Sequence, residues 1–232
     1  MESSHDPPSR MMKRLIFLQA VLAVSVWSWT ASAQVATNAD AQRSIPWQTV
    51  TSVTAVTAMA TQVFMPRVFY ADPETTVGWK ARFHVSVLAP TLTLTSLTLL
   101  NEYALKSAIG AKRPGCGDSE TTPCTDSDPY GTLSSHSFAA FAAFGHGTAV
   151  FLVDTLKWSD GKLNGGSLVG NVIVPVLLAA VTAVGRSAGN WEDTGSVVLS
   201  SGVGLAFGVL TGMTYALMAR PECGYTGDLI CW

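Results

Sequence analysis

The sequence predicts an all-α protein, a helical bundle of about five long helices of transmembrane length. Three observations predict it. Five long stretches carry no Asp, Glu, Lys or Arg; charged residues make up only 13% of the chain against 48% hydrophobic; and no alternating strand pattern is sustained anywhere. Soluble domains carry about 25% charged residues, so the deficit marks a chain built to meet hydrocarbon. Mean hydropathy is positive, in agreement. A length of 232 residues suits one domain with a sizeable core. A compact soluble helical domain is the alternative that composition leaves open. The net charge of −2 provides no basic field, which excludes nucleic acid as a partner.

The first element is an export signal over residues 1–33. Met11, Met12, Lys13 and Arg14 form a basic start, Leu15 to Trp29 an apolar run, and Ala31, Ser32 and Ala33 a small-residue cleavage pattern. The ten residues before Met11 are polar and hold two prolines, which fits a start at Met11 or Met12. An uncleaved first transmembrane helix is the other reading of this segment. The helical domain follows over 34–220, and a cysteine-containing tail over 221–232.

The charge-free stretches are 44–66, 83–101, 134–153, 164–185 and 195–218. Each approaches the roughly 20 residues a helix needs to cross a bilayer. Their Ala, Gly, Ser and Thr content suits helix–helix contact within a membrane. Threonines make the first two less convincing as lipid-facing spans. Pro90 and Pro175 are expected to kink their helices. If the signal is removed, the inner loops hold Arg67, Lys80, Arg82, Lys157 and Lys162, with Arg220 in the tail. The outer segments hold Lys106, Lys112, Arg113 and Arg186. That is a weak positive-inside bias.

Cys116 and Cys124 lie in one polar loop, and Cys223 and Cys231 share the tail. In an exported chain they suggest the bridges Cys116–Cys124 and Cys223–Cys231, among three possible connectivities. The five-span topology puts the second pair on the reducing side, an unresolved conflict. The spacings do not suit zinc.

Three polar clusters fall at the same end of successive helices. Lys106 and Arg113 close the second stretch, seven residues apart, so both can project from one helix face. Ser134, Ser135 and His136 open the third, where a helix N-terminus offers unpaired amides and a positive dipole end. Arg186 ends the fourth, and Asn190, Glu192, Asp193 and Thr194 precede the fifth. Arginine forks, a lysine, a histidine and helix-end amides together suit a tetrahedral oxyanion. Such a set also stabilises charge on a transferring phosphoryl group.

These residues resemble the type-2 phosphatidic acid phosphatase and vanadium haloperoxidase superfamily. Lys106-x6-Arg113-Pro114 matches its first signature in full. Leu133-Ser134-Ser135-His136 is similar to the second, usually Pro-Ser-Gly-His. Gly185-Arg186 is similar to the start of the third, usually Ser-Arg-x5-His-x3-Asp. The resemblance spans roughly residues 44 to 218. It implies phosphate held by Lys106, Arg113, Ser134, Ser135 and Arg186, with His136 protonating the leaving group. It implies no metal and no cofactor.

The nucleophilic histidine of the third signature is missing. Counted from Arg186, its position is Glu192; with two residues deleted, Asn190 takes the histidine position and Thr194 that of the aspartate. Asp193 or Glu192 could attack as a carboxylate, although a cap and charge pair for the fifth helix is the more ordinary role of both. His84 lies at the wrong end of its helix. His146 lies ten residues beyond His136, about 15 Å deeper, and His5 within the signal.

The resemblance implies metal-independent hydrolysis of a lipid phosphate or diphosphate, with the membrane and a phosphate-bearing lipid or small phosphoester as partners. The export signal adds a bacterial inner membrane with the site facing the periplasm. The alternatives are an inactive relative that binds anionic headgroups, and a soluble periplasmic acid phosphatase-like enzyme. Haloperoxidase chemistry is disfavoured, because the family holds vanadate through the absent histidine.

Overall fold

The computed structural model describes residues 44–64, 85–110, 133–159 and 161–218. The export signal, the four cysteines, Arg113 and His84 lie outside the described residues. Every regular element among the described residues is helical. The five charge-free stretches become five helices: α1 (Ile45–Phe64); α2, running without a break through Val85–Leu100, Asn101–Leu105 and Lys106–Ile109; α3 (Ser135–Trp158); α4 (Gly165–Ala188); and α5 (Thr194–Met218). The last three are long and apolar enough to cross a membrane.

Helix α2 runs eight residues past the charge-free stretch, and this extension carries Lys106. Over their described residues helices α1 and α2 fall short of that membrane-crossing measure, as their threonines predict, but the hydroxyls are satisfied within the helix. Thr51, Thr93 and Thr98 each donate to the carbonyl four residues back, at 2.8, 2.8 and 2.9 Å. A hydroxyl satisfied in this way asks nothing of its surroundings.

Helix α3 is the axis of the bundle. Its apolar window is 89% buried, against 44% for α4 and 39% for α5. Helices α3 and α5 run parallel, and their main chains nearly touch. A Cβ at Gly204, Gly208 or Gly212 would collide with the carbonyls of Phe138, Ala142 and His146 respectively. Small residues four apart produce such close approach, which extends dispersion contact along the seam. Phe141 and Phe144 pack edge to face, with centroids 6.5 Å apart. They sit in a core shared with Ala55 and Ala58 of α1 and Ala179 and Ala183 of α4. Leu177, Leu199 and Leu210 face outward at 54–62% exposure.

Each of α2, α3 and α4 contains a five-residue π turn with a buried polar residue: Asn101, Asp154 and Asn171 respectively. In α4 the cause is legible. Pro175 has no N–H to give the Asn171 carbonyl four residues back, and its ring crowds that carbonyl. The Asn171 carbonyl instead lies against Gly147 of α3, where a Cβ would meet it.

At one end of the bundle five helix ends meet: the starts of α1, α3 and α5 and the ends of α2 and α4. Ser44 N–H donates to the Gly189 carbonyl at 3.1 Å. Leu133 N–H donates to Ser196 Oγ at 2.8 Å. At the opposite end Lys157 Nζ and Trp158 Nε1 reach the carbonyls of Leu217 and Ala216, both at 3.1 Å.

Candidate functional site

The site is built from the last turn of α2, the first of α3, and the α4–α5 connection. The π turn of α2 buries Asn101, whose Nδ2 donates to the Leu133 carbonyl at 3.0 Å and to Ser135 Oγ at 2.9 Å. These bonds fasten α2 to the start of α3. One turn later Lys106 turns inward and is only 1% exposed. Its Nζ meets Glu102 Oε2 at 2.9 Å, an i,i+4 pair. The helix stops at Gly110, whose left-handed φ of +69° lets its N–H reach the Lys106 carbonyl at 3.0 Å.

Helix α3 opens on Ser134, whose Oγ accepts from the Ser137 N–H at 3.2 Å as an N-cap. Leu133 before it has φ +61°. Proline, locked near −65°, could not occupy that backbone. The Leu133 N–H donates to Ser196 Oγ and its carbonyl accepts from Asn101, which holds the strained residue from both sides. His136 follows, with Nε2 3.1 Å from Ser52 Oγ of α1.

Arg186 lies on the last turn of α4 and is 1% exposed. Its Nη2 and Nε donate to Glu192 Oε1 and Oε2 at 2.8 and 3.1 Å. Glu192 is fully buried, and its Oε1 also stands 4.0 Å from Lys106 Nζ. The connection is shaped for this contact. Trp191 N–H returns to the Arg186 carbonyl at 3.1 Å. The Trp191 indole lies 5.5 Å from the guanidinium, and its Nε1 donates to the Ser44 carbonyl at 2.9 Å. Asn190 takes the turn at φ +55°.

Lys106, Arg186 and Glu192 are thus brought together, and His136 lies within electrostatic reach of all three and of Glu102. Ser134 is drawn into capping. Asp193 is exposed, and its Oδ1 accepts from Ser196 N–H at 2.9 Å as the cap of α5. Asn190 and Thr194 are half-buried in the connection, and the contact to Lys106 and Arg186 is made by Glu192. His146 is buried within α3, well below the site. Among the described residues no group of three His, Cys, Asp or Glu side chains is placed to hold a metal ion.

A groove of about 330 Å³ opens beside the cluster. Val56 and Met59 of α1 and Leu99 of α2 form apolar walls, and Glu102, Ser135 and His136 form its polar end. That volume lies at the small end of the range for ligand pockets.

Four contributors were not picked out from the sequence. Glu102 had a readable signal, an acid four residues before a lysine. Asn101, Ser52 and Ser196 had none, because their partners are distant in the chain. No protein-family model, curated protein or solved structure matches the chain.

Proposed function

We propose that this chain is a membrane-embedded, phosphatidic acid phosphatase-like protein that receives the phosphate end of a lipid at the Lys106–Arg186 cluster. The carrying observation is that the buried cations Lys106 and Arg186 meet around Glu192, next to an apolar groove whose polar end is formed by Glu102, Ser135 and His136. The groove offers an acyl chain a place beside α1 and α2. The cations offer the headgroup a point charge and a fork that matches phosphate oxygens.

Binding without turnover is the favoured form of this reading. The position counted for the attacking histidine holds Glu192, with both oxygens engaged by Arg186. A carboxylate held in that way is a poor nucleophile. Hydrolysis is the second reading, favoured by His136, whose imidazole stands in the groove wall where a leaving oxygen would need a proton.

The test is titration of the detergent-solubilised protein with dioctanoyl phosphatidic acid and with dioctanoylglycerol, monitored through tryptophan fluorescence. Trp191 beside Arg186 is the expected reporter. The phosphatidic acid is expected to bind and the dioctanoylglycerol to bind at least tenfold more weakly, with no phosphate released. Equal affinity for the two would overturn the headgroup site. Phosphate release that disappears in His136→Ala would establish hydrolysis.

A further inference from the structure

The cluster that would receive a phosphate already contains an anion. We infer that the Glu192 carboxylate is the resident occupant of the seat, so that a phosphate enters only by displacing it. The inference rests on the proposed headgroup site and adds how access to it is set.

Three observations carry it. Glu192 is fully buried, and its two oxygens face the parallel N–H groups of Arg186 at 2.8 and 3.1 Å, the geometry in which a guanidinium also takes two phosphate oxygens. The same carboxylate stands 4.0 Å from Lys106, so one acid spans the two buried cations from separate helices. Finally, the backbone delivers it there. The connection from Gly189 to Asp193 is bonded to Ser44 at both Gly189 and Trp191, passes through Asn190 at φ +55°, and has Asp193 fixed as a helix cap. The segment on either side of Glu192 is therefore anchored, and the side chain is held in the seat.

The consequence for ligands is direct. With Glu192 in place, the charge of Arg186 is neutralised and Lys106 is shared with Glu102. A dianion arriving beside Glu192 meets a like charge in a site sheltered from water, where repulsion is poorly screened. Ligand affinity is set by how readily the carboxylate leaves its fork.

The experiment compares wild type, Glu192→Gln and Glu192→Ala in detergent, titrated with orthophosphate and with acetate. Tm and tryptophan fluorescence are followed, with Arg186→Ala as the control. Glu192→Ala is expected to melt below wild type and to regain Tm as either anion fills the vacated fork, since a ligand that binds only the folded state stabilises it. Wild type should gain little over the same range. Glu192→Gln keeps an acceptor and loses the charge, so it should bind orthophosphate at least tenfold more tightly than wild type. It also serves should the alanine variant fail to fold. Equal affinity in wild type and Glu192→Gln, lost in Arg186→Ala, would overturn the resident-anion inference and leave the seat standing. No response to orthophosphate in any variant would overturn both.

Discussion

Along the α3–α5 seam, Gly204, Gly208 and Gly212 let two main chains meet with hardly a side chain between them. At the site end, Lys106, Arg186 and Glu192 are enclosed just as completely, with full charges between the helices. The seam holds by shape and adapts to nothing. The cluster holds by pairing, so each member is tolerated only while its partner is present. Enclosure therefore has different consequences in the two regions: loss of a side chain is harmful at the cluster, and gain of one is harmful at the seam.

Three substitutions test that contrast, taken from the largest effect to the smallest. Arg186→Ala strands the buried Glu192 carboxylate and should lower stability by about 3–5 kcal/mol. Detergent-phase unfolding of purified protein would measure it, and a loss below 1 kcal/mol would mean that water reaches the pair. Gly208→Leu drives a side chain into the Ala142 carbonyl and should cost about 3 kcal/mol. A neutral result would show that the helices slide apart without penalty. Asp193→Ala removes the exposed cap of α5 and should cost about 1 kcal/mol. It should leave orthophosphate affinity of the Glu192→Gln background unchanged, because Asp193 points away from the fork; a fall in that affinity would give Asp193 a part in the seat.

The helices were legible in the sequence because absence of charge over some twenty residues is a one-dimensional signal. Their shared end was legible too, since alternation of consecutive helices brings Lys106, His136 and Arg186 to one side. The sequence did not reveal what those residues do to one another. Glu192 and Asp193 are adjacent acids with the same range of ordinary roles, and only a three-dimensional turn through Asn190 makes one a buried partner and the other a solvent-facing cap. The glycine seam was similarly hidden: glycine, alanine, serine and threonine suggest close packing somewhere, but the partner helix is named only by geometry. The π turn of α4 follows from a local event, the presence of Pro175, which hydropathy does not register.

The enclosed position of α3 has a bearing on how the chain is made. On the membrane reading, α3 emerges from the ribosome ahead of α4 and α5, and α5 supplies the wall against which its Phe138, Ala142 and His146 turns rest. Until Thr194–Met218 has been synthesised, α3 faces either lipid or the insertion machinery along the strip that carries Phe138, Ala142 and His146. Truncations ending before residue 194 should therefore leave α3 exposed to membrane proteases, and those extending through residue 218 should protect it.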